Sequence, residues 1–193
     1  MTDKEKLQIF RETGALLEGH FLLSSGLHSN VYFQCAKVLQ YPKYATLFCE
    51  EIASHFANLE IDLIISPALG GILVGQEVAR LLNKKSIFTE RIENVMTLRR
   101  GFEISKGERV LICEDVVTTA KSSREVADIV NQLEGKIIGI GSIVDRSNGL
   151  AKFDYDFFST IKISAETYTA NECPLCQKQM AIEKPGSRKI GKM

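Results

Sequence analysis

Apolar residues fall along this chain in two alternating patterns. Near-continuous runs occur at Ile61 to Ser66 (I-D-L-I-I-S), Ser86 to Thr89, Val110 to Cys113, Ile137 to Val144 and Phe157 to Ile163. Short runs of this kind predict strands buried on both faces of a parallel sheet. Between them the spacing changes to that of a helix face: Phe48, Ile52 and Phe56, through Ala57; Val74, Val78, Leu81 and Leu82; then Val126, Ile129, Val130 and Leu133. Pro42 is well placed in the first turn of the first of these helices, and Gly135 reads as a C-cap of the last. The strand-helix-strand succession predicts an α/β fold, a mostly parallel sheet flanked by helices and joined by right-handed crossovers.

The ends of the chain depart from this alternation. Thr2 with Glu5 makes a capping box, and Leu7 and Phe10 begin an apolar face, so residues 2–17 are expected to be helical. Gly19 to Gln34 (G-H-F-L-L-S-S-G-L-H-S-N-V-Y-F-Q) holds two apolar runs around Ser24, Ser25 and Gly26, the pattern of a small antiparallel hood. One domain is expected: 1–40 as hood and N-terminal helix, 42–165 as sheet core, and 166–193 as a tail containing C-P-L-C and K-P-G-S-R-K. Glu90 to Glu108 also interrupts the pattern, with Arg91, Arg99, Arg100, Lys106 and the nearby Arg109. It predicts either a hairpin, Val95 to Leu98 against Phe102 to Ile104, or a mobile lid.

Composition narrows the partners. With 193 residues, 45% of them hydrophobic, the chain can bury one sizeable core. Its 24 basic and 24 acidic residues cancel, so no nucleic-acid or membrane partner is expected and any anion site must be local. No run reaches the roughly 18 apolar residues of a spanning helix, and the N-terminus lacks a basic segment followed by a long apolar one. A cytoplasmic location is expected. Cys35, Cys49, Cys113, Cys173 and Cys176 are odd in number and scattered, which does not suit a disulfide framework. Cys173 and Cys176 have the spacing of half a zinc site, but no second C-x-x-C or H-x3-H accompanies them. No cysteine or carboxylate stands at metal spacing from His20 or His28. Both are expected as exposed or hydrogen-bonded histidines, and no protein metal site is predicted.

The candidate chemistry lies where strands meet helices. In V-L-I-C-E-D-V-V-T-T-A-K-S-S, Val110 to Ser123, a buried strand ends in Glu114 and Asp115, and a hydroxyl-rich loop opens the next helix. The carboxylates suit sugar hydroxyls or waters on Mg2+; Thr118, Thr119, Ser122 and the free N–H groups of a helix N-terminus suit a phosphate. Pro67 to Gly71 is a second such turn, whose paired glycines let backbone N–H groups approach a pyrophosphate. Asp145-Arg146 follows a third strand and puts a guanidinium at the ligand end of the sheet. No G-x-x-x-x-G-K-[ST] or G-x-G-x-x-G occurs, which removes the main support for nucleoside-triphosphatase and dinucleotide readings.

The central stretch resembles the signature of the type I phosphoribosyltransferases. Together with the Gly19–Gln34 hood, I-S-P-A-L-G-G-I and I-V-D-R, it resembles the bacterial orotate enzymes over nearly the whole chain. The resemblance implies transfer of a 5-phosphoribosyl group from phosphoribosyl pyrophosphate to orotate, with Mg2+ bound mainly through substrate, in a homodimer whose lid reaches the neighbouring site. It assigns catalysis to Arg91 and Asp115. Phosphoribosyl pyrophosphate falls to Glu114, Asp115, Val116, Val117, Thr118, Thr119, Ala120, Lys121 and Ser122, with Ala68, Leu69 and Gly70. Orotate falls to Thr118 and Arg146, with Tyr32 and Phe33 beside the ring. Arg146 also makes sense alone, since a guanidinium fork reads a carboxylate bidentately. Ser24, Leu69-Gly70 and the lid after Arg91 lack lysines or a histidine found in well-known members. Either Arg91, Arg99, Arg100 and Lys121 replace that charge, or backbone holds the pyrophosphate, or activity is reduced. A transferase for a purine base and a non-catalytic sensor of phosphoribosyl pyrophosphate are the alternatives.

Overall fold

A computed structural model of the chain describes residues 1–23, 26–164 and 166–185. Ser24 and Ser25 of the hood turn and Gly186 to Lys189 of the tail lie outside the described residues. In chain order the elements are α1 (Asp3–Glu12), β1 (Leu16–Leu22), β2 (His28–Phe33), α2 (Ala36–Leu39), α3 (Pro42–Phe56), β3 (Leu63–Pro67), α4 (Gly70–Leu82), β4 (Lys85–Ile92), β5 (Val95–Leu98), β6 (Arg109–Val117), α5 (Lys121–Gln132), β7 (Lys136–Asp145), β8 (Asp156–Lys162), β9 (Thr167–Tyr168) and α6 (Pro174–Gln177). They divide into two compact units, Leu39–Ile163 and a smaller one made of Met1–Val38 with the C-terminal segment from Ser164.

The larger unit is a sheet in the order β5-β4-β3-β6-β7-β8. All neighbours are parallel except β4 and β5. Side chains alternate across it as the pleat requires. Leu63, Ile65, Val110, Ile112 and Ile140 meet Val126, Ala127 and Val130 of α5 on one face. On the opposite face the helices approach closely, and glycines make the room. A Cβ at Gly139 or Gly141 would lie 2.4 Å from Phe56 or 2.5 Å from Ile52 of α3, and one at Gly75 of α4 would lie 2.0 Å from Ser66 Oγ. Phe48, Ile52 and Phe56, the helical stripe legible in the sequence, are fully buried there.

Three expectations are corrected. The strand Ser86–Thr89 extends to Ile92, and β5 pairs with it rather than with Phe102–Ile104, which forms no strand. A turn at Glu93 and Asn94, both left-handed at φ 48° and 68°, closes the hairpin. Phe102 instead packs edge-on against Phe88, with ring centroids 5.1 Å apart, and Ile104 enters the core. After α5 the left-handed residue is Glu134, φ 57°, and Gly135 is needed for space, since a Cβ there would lie 2.9 Å from Val130. The N-terminal helix keeps its Thr2/Glu5 capping box but ends at Glu12, where Thr13 and the left-handed Gly14 turn the chain into β1.

In the smaller unit β1, β2 and β9 form an antiparallel sheet in that order. Phe10 of α1 is fully buried and meets Phe33 of β2 edge-on at 5.1 Å. The segment after α6 returns to β1, where Leu22 N–H donates to Glu183 O at 2.8 Å and Glu183 N–H donates to His20 O at 2.7 Å.

Candidate active site

The ligand end of the large sheet is built by β3, β6 and β7 and by the turns that follow them. Glu114 and Asp115 are consecutive on β6, so the pleat sends them to opposite faces. Glu114 points toward α5, where Ser123 Oγ donates to its Oε2 at 2.9 Å. Asp115 points toward α4, and its Oδ2 occupies the place of a side chain at Gly70: a Cβ there would lie 2.1 Å away. The acid pair thus reaches both strand-to-helix turns, one carboxylate to each.

Both acids are held against their ordinary ionisation. Burial, and secondarily the neighbouring Asp115, pushes Glu114 up to about 8, against the opposing pull of Ser123 and Arg91. Burial also raises Asp115, against the pull of the Val116 N–H and its own. Carboxylates in this condition bind a cation or sugar hydroxyls with gain, because the ligand supplies what lost water no longer does.

The loop after β6 leaves Thr118 and Thr119 exposed and Ser122 half-buried. Ala120 is the N-cap of α5 and left-handed at φ 61°, a conformation in which its methyl group is disfavoured. The first N–H groups of α5 have no intrahelical partner and face the loop. Arg91, at the end of β4, reaches the same helix start: its guanidinium is paired with Glu125 and lies 3.5 Å from Ser122 Oγ. Lys121 Nζ is 3.9 Å from the same Glu125.

At the next strand, Arg146 N–H donates to Val117 O at 2.8 Å, which puts Arg146 beside the residue that precedes Thr118. Asp145, buried, accepts from Ser147 N–H at 2.8 Å and fixes the turn beyond it. On the other side of β6, Ala68 N–H donates to Thr89 O at 2.8 Å, leaving Leu69 exposed at the start of α4. The structure therefore gathers Ala68, Leu69, Gly70, Arg91, Glu114 to Ser122 and Arg146 at one end of the large sheet.

The remaining residues singled out in the sequence have the following surroundings. Arg109 begins β6 at the far end of the sheet, paired with Asp62 and Glu60. Arg100 is forked onto Glu90 at 2.8 Å from each oxygen and lies over the Phe88 ring. Tyr32 and Phe33 belong to the smaller unit, Phe33 in its core against Phe10 and Tyr32 half-buried beside Phe21, ring centroids 5.8 Å apart. Ser123 and Glu125 were not singled out in the sequence. Both lie one helical turn into α5, facing β6 and β4, and only the tertiary fold reveals what they hold. His20 and His28, expected without cysteine neighbours, are buried beside Cys173 and Cys176.

A mostly parallel sheet whose strand-to-helix turns flank a buried carboxylate pair suits a transferase of phosphorylated sugars. The model of the phosphoribosyl transferase domain matches residues 41–177. A protein of Thermoanaerobacter sp. (strain X514) named orotate phosphoribosyltransferase is 53% identical over 190 residues, covering 98% of this chain and 100% of the relative. The crystal structure of orotate phosphoribosyltransferase from Aeropyrum pernix superposes with a TM-score of 0.69 at 21% identity, over 81% of this chain and 92% of that one. Adenine phosphoribosyltransferase from Thermoanaerobacter pseudethanolicus gives 0.59 at 20% identity, over 69% and 88%. These two likenesses show the shared fold alone. The chain belongs to the phosphoribosyltransferase family, on the branch of the orotate phosphoribosyltransferases.

Proposed function

We infer that the protein transfers the 5-phosphoribosyl group of phosphoribosyl pyrophosphate to a ring nitrogen of orotate, releasing pyrophosphate and forming orotidine 5'-phosphate for pyrimidine nucleotide synthesis. The observation that carries the reading is the Arg146 N–H to Val117 O bond, which sets the backbone of Arg146 next to the loop that suits a sugar phosphate. Orotate differs from the purine bases in carrying a carboxylate, and a planar fork beside the reacting sugar is the group that reads one.

In this reading the start of α5, from Thr118 to Ser122, holds the 5-phosphate through hydroxyls and free N–H groups. The turn Ala68-Leu69-Gly70 holds the pyrophosphate through backbone, which answers the absence of lysine there. The bond from the sugar to the pyrophosphate breaks ahead of the new bond to nitrogen, so positive charge grows on the ribose and negative charge on the leaving group. Asp115, set against the Gly70 turn, reaches the ribose from the pyrophosphate side; Arg91, paired with Glu125, brings positive charge near the phosphates. Catalysis by such fixed charges needs no covalent nucleophile.

Hydrated Mg2+ fits this donor set. Asp115 is placed against Gly70, where the pyrophosphate would lie, and burial raises its affinity for a proton. Asp115, with Glu114 behind it, would accept from the waters of the ion, which when bound neutralises pyrophosphate charge. A cytoplasmic location and a homodimer belong to the same reading. Five free cysteines support the first.

The test is Asp115→Asn. Turnover with phosphoribosyl pyrophosphate, orotate and Mg2+ is expected to fall by at least about a hundredfold, with the melting temperature unchanged or raised. Wild-type turnover with a lowered melting temperature would make the acid pair part of the fold only.

A further inference from the structure

The smaller unit contains a cluster outside the site just described. His20 of β1, His28 of β2, Cys173 and Cys176 direct one ligand atom each to a common point, and all four atoms lie within 4.8 Å of one another. His20 Nε2 is 2.9 Å from His28 Nδ1, 3.6 Å from Cys173 Sγ and 3.7 Å from Cys176 Sγ, and Cys176 Sγ is 3.3 Å from His28 Nδ1. A tetrahedral zinc ion with Zn–N of about 2.0–2.1 Å and Zn–S of about 2.3 Å requires edges of about 3.3 Å between nitrogens and about 3.6 Å between nitrogen and sulfur. These four edges scatter around those lengths, and the remaining two are no longer than 4.8 Å.

The tautomer of His20 points the same way. Its Nδ1 lies 3.0 Å from the carbonyl oxygen of Met180. A carbonyl only accepts, so Nδ1 carries the proton and Nε2 presents its lone pair to the cluster. A backbone carbonyl holding the far nitrogen is the usual support of a metal-bound histidine. His20, His28 and Cys173 are buried, and Cys176 is half-buried. Four soft or borderline donors turned inward leave no position for substrate, which separates a structural metal from a catalytic one.

We propose that His20, His28, Cys173 and Cys176 bind a structural zinc ion that fastens the C-terminal segment to the β1–β2 hairpin. The local chain is shaped for it. Pro174 opens a single turn in which Gln177 N–H donates to Cys173 O at 3.2 Å and Gln179 N–H to Cys176 O at 2.9 Å, bringing both thiols of C-P-L-C to one side. The backbone pairing of Glu183 with His20 and Leu22 continues the same seam. A unit with so small a core gains most from such a clip, because the ion closes the long loop between residues 28 and 173. The sequence conceals it, since the two halves of the ligand set stand at opposite ends of the chain.

The test uses the full chain without an affinity tag, dialysed against metal-free buffer. Elemental analysis is expected to find about one zinc per chain, falling at least about tenfold in Cys176→Ser and in His28→Ala. Replacement by Co2+ should give the visible bands of a tetrahedral site together with thiolate-to-cobalt charge transfer, a readout that needs only folded wild-type protein. Stripping the metal from wild type should lower the melting temperature, and zinc, but not Mg2+, should restore it. The proposal is overturned if wild-type protein supplied with zinc binds less than about a tenth of an equivalent, if the cobalt spectrum lacks thiolate charge transfer, or if Cys176→Ser keeps a full equivalent.

Discussion

Glu114 is where folding and ligand binding make opposite demands, and Glu114→Gln measures the conflict. The substitution keeps a carbonyl oxygen to accept from Ser123 Oγ and removes only the charge. In the folded protein burial holds Glu114 near 8, whereas an unfolded chain ionises it near about 4.3. Between those values the folded state binds the proton more tightly, so the group lowers stability progressively as pH rises through the window, and below it has no effect. At about 1.4 kcal/mol per pH unit the penalty is about 1 kcal/mol at pH 5 and about 4 kcal/mol at pH 7.5. Glutamine escapes it. For a chain of this length, each kcal/mol moves the melting temperature by about 2–4 °C. Ligand-free Glu114→Gln should therefore melt about 8–16 °C above wild type at pH 7.5 and only about 2–4 °C above it at pH 5. Calorimetry in EDTA at the two pH values decides it. A gain independent of pH, or a loss at both, would refute the idea that Glu114 is an acid kept buried against its own ionisation.

Substitutions at two further positions, Arg146 and Gly70, probe the remaining parts of the site. Arg146→Ala should weaken orotate use by at least about tenfold, since charged hydrogen bonds contribute roughly 1.5–3 kcal/mol each; Arg146→Lys should recover only part of it, and the affinity for phosphoribosyl pyrophosphate measured by calorimetry should stay within about twofold. Equal weakening of both substrates would return Arg146 to the fold or the phosphate site. Gly70→Ala forces a methyl group to within 2.1 Å of Asp115 Oδ2, so initial rates should fall by at least about tenfold while stability drops by only about 1–3 kcal/mol, the usual cost of overpacking; unchanged kinetics would show that Asp115 need not occupy that place.

Much of this was legible from two periods. The near-continuous apolar runs located the parallel strands, and the four-residue stripe Phe48, Ile52, Phe56 located the helix that covers them, because burial dictates both patterns. The strand-to-helix turns before α4 and α5 were legible too, since they follow buried strands directly. The pairing of β5 was not. Thr89 to Ile92 has no apolar run to mark it, and only Asn94 of the turn pair Glu93-Asn94 carries a turn signal. Ser123 and Glu125 are ordinary helix residues until the fold sets them against Glu114 and Arg91. That the two acids face opposite sides of the sheet follows from their adjacency alone, and it sets Asp115 against Gly70 and Glu114 against Ser123 at the start of α5.

The function proposed for this site is to join a phosphoribosyl group to a base bearing a carboxylate. Pyrophosphate release from phosphoribosyl pyrophosphate and Mg2+, measured with orotate, uracil, adenine or no base, tests it most directly. Release should depend on orotate, and uracil, which has the same ring without the carboxylate, should support at most about a tenth of that rate. Uracil or adenine serving as well as orotate, or no release with any base, would contradict the account.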